Sequence, residues 1–265
     1  MNKRVLYIIL SVIMFVSGGV LLFYFFWANG YIDPPKNAPT TTYSEFTYPS
    51  MPSTIDVSPT TTNGDTGETQ GYVCPVNFDE LKVVNPDIVG WIYMTSPYIS
   101  YPILMSSDDD TFYLSHGATQ EYDRNGSLYI ESEYNNPDFE DPCTIIYGHR
   151  MSDGSMFGNL EASFEDVDLV NDSQYVVIYL AEKSKIYHII ATVPYDSKHI
   201  LFYNDFSSES DFNEFFDDIY GTSGKGVNLV TEDRPQYGDN ILILSTCLRT
   251  DRTHRYLIIA KELTN

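Results

Sequence analysis

Three residue types that together could carry out acyl transfer stand at the ends of apolar runs. In ILILSTCLRTDRTHRY, residues 241–256, Cys247 closes one β-type run and Arg255 opens another eight residues on. A thiol is a strong nucleophile as its thiolate, and a nearby permanent cation favours that form while offering donors to an oxyanion. The proton shuttle such a pair needs stands 98 residues upstream in CTIIYGHRMSDGSMFGNL, where His149 follows the apolar run 144–147. Gly148 allows a tight turn there, and a histidine in a loop at a strand end is well placed for acid–base work.

The competing residues read differently. Of the other histidines, His188 lies inside a strand pattern, and His254 adjoins Arg255, so the two point to opposite faces of one strand. His116 and His199 remain open alternatives. Arg249 and Arg252 follow Cys247 closely, and an arginine such as Arg255 can equally form a surface ion pair. Asp108, Asp109 and Asp110 are consecutive, which does not match a calcium-loop spacing, so they read as a solvated acidic loop. With no nucleotide-binding glycine loop and no zinc spacing, the expectation is no metal and no cofactor.

These strand ends need a scaffold, and the pattern supplies one rich in short strands. Asn77 can cap a helix over 78–84 that stops at Asn85-Pro86, with a further helical turn from Pro86. Period-two runs follow at 89–94, 100–104, 127–130, 144–147, 174–180, 185–193, 240–246 and 256–261, eight strands in all. One clear helix interrupts them over 210–220, where Phe212, Phe215, Phe216 and Ile219 form a single apolar face. Many short strands with few helices predict a mainly β barrel or sandwich.

The N-terminal part reads differently again. After Lys3 and Arg4, residues 5–28 carry no charge, and that length gives about 36 Å of helix, enough to cross a bilayer. The reading is a short cytoplasmic end at 1–4, a transmembrane anchor at 5–28 closed by Phe23, Tyr24, Phe25, Phe26 and Trp27, and an exterior remainder. Residues 29–71, rich in Thr, Ser, Pro, Gly and Asn, predict a flexible linker, leaving 72–265 as the exterior domain. A formal net charge of −22 argues against nucleic-acid binding. Three cysteines are too few, and odd in number, for a disulfide scaffold; Cys74 and Cys143 either pair or are buried thiols, and Cys247 is left over in both cases.

The pairing of residues 148–160 with 241–263 resembles the sortases, the cysteine transpeptidases of Gram-positive cell surfaces. The run NPDIVGWIYMTSPYISYPILMSSDDDTFYLSHG, residues 85–117, is similar to class B in particular. The resemblance covers about residues 76–263. It implies an eight-stranded sortase barrel with N-terminal helices and a helix before the seventh strand. By the same resemblance Cys247 matches the nucleophile of a Leu-x-Thr-Cys motif, His149 the general acid/base and Arg255 the arginine of the next strand. Leu114, Ser197, Phe202 and Ser245 fall where class B members shape the sorting-signal groove. Position 248 is Leu where some relatives have an acidic residue, so only its backbone N–H could assist there.

The implied activity is a membrane-anchored transpeptidase. It would cleave a C-terminal sorting signal after Thr through a thioester on Cys247, then transfer the surface protein to a cell-wall amine on a peptidoglycan stem peptide or lipid II. Three alternatives use the same chain. A class B-like pilin polymerase would join pilin subunits through a lysine amine, and a papain-like cysteine protease would admit water but normally has its cysteine before its histidine. The last is a non-enzymatic anchored binding module.

Overall fold

The computed structural model describes residues 49, 51–52, 73–165, 167–169 and 172–263. Helix α1 (Phe78–Val84) starts where the Asn77 side chain accepts the Glu80 N–H and stops where the Asn85 N–H closes on the Leu81 carbonyl at 2.9 Å. Pro86 does not begin a second helix. The Asn85 side chain instead accepts the Asp87 N–H at 2.9 Å, making a turn that feeds straight into the first strand.

Nine strands follow: β1 (Ile88–Thr95), β2 (Tyr98–Leu104), β3 (Leu128–Tyr129), β4 (Cys143–Tyr147), β5 (Tyr175–Tyr179), β6 (Ser184–Tyr195), β7 (Asn228–Leu229), β8 (Ile241–Cys247) and β9 (Arg255–Glu262). Their hydrogen-bonded order is β5-β1-β2-β3-β4-β8-β9-β6-β7, and pairing of β5 with β6 closes eight of them into a barrel. The β2–β3 and β4–β8 pairs are parallel and the other pairs antiparallel. All eight expected strands are present within two residues of their expected bounds. The ninth, β7, hangs on β6 outside the closed ring through Ala191 and Thr192.

Closure leaves each strand with one face inside and one outside, and both are covered. Ile146 of β4, Leu242 and Leu244 of β8 and Tyr256 and Ile258 of β9 join the interior cluster. The alternate residues Ile145, Ile243, Leu257 and Ile259 point outward, under helix α4 (Glu209–Gly221). That helix buries Phe212, Phe215, Phe216 and Ile219, the face expected from its periodicity, and Ser208 caps its start. Two shorter helices had no expected counterpart: α2 (Leu160–Phe164) and α3 (Ile200–Tyr203). At five and four residues they are too short for periodicity to register.

The expected single-pass localisation requires correction. Among the described residues no helix is long and apolar enough to cross a membrane. The longest, α4, has 13 residues, about 20 Å of rise against about 30 Å of bilayer core, and its apolar face is used on the barrel. Segments 1–4 and 5–28, on which the expectation rested, lie outside the described residues. So does most of 29–71, except that Met51 packs against the cluster beneath α1 and the Pro52 carbonyl accepts from the Tyr93 hydroxyl.

Candidate active site

Cys247 is the last residue of β8 and Arg255 the first of β9, and the two are directly paired across the antiparallel ladder. Arg255 Nη1 lies 3.7 Å from Cys247 Sγ and 3.5 Å from the Arg252 carbonyl oxygen, so the backbone holds the guanidinium against the thiol. Because side chains alternate, Cys247 shares the outer face of β8 with Ser245, and the Thr246 side chain points the other way. His254, one residue before Arg255, is exposed and held 2.7 Å from Asp251.

His149 reaches the same place from the neighbouring strand. Tyr147 of β4 pairs with Ser245 in parallel register, and the Gly148 N–H donates to the Ser245 carbonyl at 3.1 Å. Two residues past that pair, beyond the end of β4 and at the end of β8, stand His149 and Cys247. Gly148 turns its missing side chain inward, where a Cβ would meet Leu128 Cδ2 at 2.4 Å and Phe157 Cδ2 at 2.6 Å. A side chain at that step would force Leu128 or Phe157 to shift.

The histidine is oriented by backbone. His149 Nε2 is 2.7 Å from the Leu114 carbonyl oxygen, at the end of a short 3-10 turn, Phe112–Leu114. A carbonyl only accepts, so Nε2 carries the proton and Nδ1 is left with the lone pair. The ring can thus take a second proton on Nδ1 while Nε2–H stays bonded.

The remaining expected residues are placed as follows. Leu114 has an exposed side chain, and its link to the site runs through its carbonyl. Ser245 is buried on the floor beside Tyr147 and Leu257. Ser197 is exposed two residues beyond Tyr195, the β6 partner of Arg255. Phe202, on α3, is not brought to the three: it lines a separate cleft with Tyr134, Pro142, Tyr203 and Asp205, and packs edge-on against Tyr203. The Leu248 N–H is also not available, because it donates to the His254 carbonyl at 3.0 Å. This corrects the expectation that it could assist an oxyanion, and leaves that task to Arg255.

Several contributors were not visible in the sequence. Glu131, just after β3, is 2.7 Å from His199 Nε2, while His199 Nδ1 accepts the Phe202 N–H, pinning α3 to the site end of the barrel. Beside them Tyr129 and Tyr147 stack at 5.5 Å. Burial pushes both phenols up and Glu131 adds to the effect, with Arg255 opposing it at Tyr129. The three cysteines are free thiols, and burial raises the thiol of Cys143 well above its ordinary range.

A half-exposed thiol beside a guanidinium, with an imidazole on the adjoining strand path of a closed barrel, is the equipment of a cysteine acyl-transfer enzyme. The sequence model of the Sortase domain family matches residues 99–263. The chain is 30% identical over 196 residues to Sortase B of Listeria monocytogenes, covering 73% of each chain. It is 29% identical over 203 residues to Sortase B of Staphylococcus aureus, covering 72% of this chain and 76% of that one. Sortase B of Clostridium perfringens superposes with a TM-score of 0.62 at 27% identity, covering 71% of this chain and 100% of that one. A Streptococcus pyogenes class B sortase involved in pilus biogenesis gives a TM-score of 0.60 at 26% identity, covering 71% and 98%. The chain belongs to the sortase family of cysteine transpeptidases and is most similar to class B.

Proposed function

We propose that Cys247 is the nucleophile, His149 the general acid/base and Arg255 the oxyanion donor of a transpeptidase housed in residues 72–265. It would cleave a sorting signal after its Thr and pass the acyl group to a cell-wall amine. The observation that carries this reading is the paired Cys247 and Arg255, 3.7 Å apart, with His149 on the adjoining strand path. Cys247 gives its proton to His149 Nδ1, and its sulfur attacks the Thr carbonyl carbon. The carbonyl oxygen, now anionic, is met by the Arg255 guanidinium. His149 then protonates the departing amine as the C–N bond breaks, leaving a thioester on Cys247. An incoming amine attacks that thioester, His149 removes its proton, and the thiolate leaves as the new amide forms. Through both steps the Leu114 carbonyl holds Nε2–H and steadies the imidazolium.

Ser245, Leu114 and Ser197 lie along the site end of the barrel and are proposed to contact the signal peptide. Phe202 would act only on a longer substrate that reaches its separate cleft. The amine is proposed to come from a peptidoglycan stem peptide or lipid II. A second reading, a polymerase that joins pilin subunits through a lysine amine, is favoured by likeness to the S. pyogenes enzyme involved in pilus biogenesis. The test incubates the 265-residue chain with peptides carrying Asn-Pro-x-Thr or Pro-x-Thr-Gly signals, with and without lysine, diaminopimelate or oligoglycine mimics. An amine that diverts product from free acid to amide supports transfer and names the acceptor class. Cleavage that no amine diverts would make the chain a hydrolase.

A further inference from the structure

The proposed catalytic groups come from two chain segments that must be held to each other. His149 lies on an arm that runs through residues 150–159 into α2, while Cys247 and Arg255 flank the loop 248–254. Glu161, in the first turn of α2, joins the two. Its Oε2 accepts the Arg249 backbone N–H at 2.5 Å, two residues after Cys247 and 88 residues away in sequence. The side chain is about nine-tenths buried, an expensive place for a carboxylate unless it accepts a strong hydrogen bond. Arg249 Nε stands 3.9 Å from Glu161 Oε1, too long for a hydrogen bond, while its Nη2 turns to Glu165 Oε2 at 3.2 Å. The close partner of Glu161 is therefore a backbone N–H, with the guanidinium shared more loosely.

The surrounding bonds connect that contact to the site. Leu248 packs its partly buried side chain against the interior cluster and gives its N–H to the His254 carbonyl, and the His254 N–H returns to the Asp251 carbonyl. With the Arg249 N–H bonded as well, both backbone donors at the start of the loop are taken, and its far end delivers Arg255 beside Cys247. On the other arm, the Phe157 N–H donates to the His149 carbonyl at 3.0 Å, four residues before Glu161.

We infer that Glu161 is a positioning residue for acyl transfer, acting through the Arg249 N–H to hold the Cys247–Arg255 loop in register with the His149 arm. The inference rests on the proposed roles of those three residues. Arg249 contributes through its backbone, not through its charge.

The test compares wild type with E161L, E161Q and R249A in the 265-residue chain. It measures kcat and KM for a sorting-signal peptide, normalised to Cys247 sites titrated by a thiol reagent, alongside the melting temperature. E161L removes the acceptor and should lower kcat roughly 10- to 100-fold, the scale of an ångström-sized misplacement, with KM changed by less than about twofold. E161Q keeps an acceptor oxygen and R249A keeps the N–H, so both should retain kcat within about threefold. E161L at wild-type kcat overturns the inference, as does E161Q or R249A falling as far as E161L. If E161L does not fold, E161M, closer to Glu in shape, is read by the same criteria. A wild type that forms no thioester defeats the proposed function; an active wild type with an unaffected Glu161 variant defeats this inference alone.

Discussion

Replacing Gly148 with alanine perturbs the active site by one methyl group, and the structure sets the size of the effect. The new Cβ would sit 2.4 Å from Leu128 Cδ2 and 2.6 Å from Phe157 Cδ2, where carbon atoms normally rest about 3.5–4.0 Å apart. Leu128 and Phe157 are buried in the barrel interior and cannot swing into solvent. Something must therefore move by about an ångström, at a cost of about 1–3 kcal/mol for an overpacked core. For a domain of this size that lowers the melting temperature by roughly 2–12 °C. The movement does not stay local, because Phe157 holds the His149 carbonyl through its N–H and Gly148 holds the Ser245 carbonyl. A displacement of that size at a catalytic group costs about 10²-fold in rate. Thermal denaturation and peptide turnover on the same G148A protein check both figures. Wild-type melting together with wild-type turnover would refute the packing argument, and a lowered melting temperature with unchanged turnover would refute the link from Gly148 to His149.

Three further outcomes are expected. R255A should slow peptide turnover by about 10²- to 10³-fold, since the Leu248 N–H is already bonded, yet leave Cys247 open to alkylation; a loss below tenfold would mean another donor serves the oxyanion. A charged methanethiosulfonate reagent should label Cys247 before Cys74, whose Sγ contacts the Leu180 carbonyl at 3.5 Å, and leave buried Cys143 unlabelled, which mass mapping decides. The Tyr113 and Tyr256 phenols are pushed up to about 12 by burial, above an ordinary value of about 10, so the folded state holds protons that the unfolded chain releases. That contribution to stability is intact below about pH 10 and is lost as pH rises toward 12, by about 1.4 kcal/mol per pH unit for each group. Urea unfolding at pH 8 and pH 11 measures it, and equal stability at both would contradict it.

Strand ends carried most of what the sequence revealed. Cys247, His149 and Arg255 each border an apolar run long enough for its period to be read, and pairing of β4, β8 and β9 brings those borders together. The helix at 209–221 was legible because four large apolar residues share its face. What depends on loop backbone left no residue-type signal. The Leu114 carbonyl that orients His149 could come from any residue, and the bond that occupies the Leu248 N–H depends on the loop's return at His254. Phe202 illustrates the opposite difficulty: its likeness to groove residues was readable, but the four-residue α3 carries it to another cleft. Glu161 looked like one acid among 37 until folding set it against a backbone N–H 88 residues away.

The central claim is that peptide acyl groups pass through Cys247, and intact-mass analysis of acid-quenched reactions tests it most directly. Mixing the chain with an excess of sorting-signal peptide should add the mass of the N-terminal peptide fragment, and proteolytic mapping should place it on Cys247. The adduct should disappear on adding an acceptor amine as the matching amide accumulates, and C247A should show neither adduct nor product. Product formation by C247A, or an adduct that maps to Cys74 or Cys143, would contradict the account.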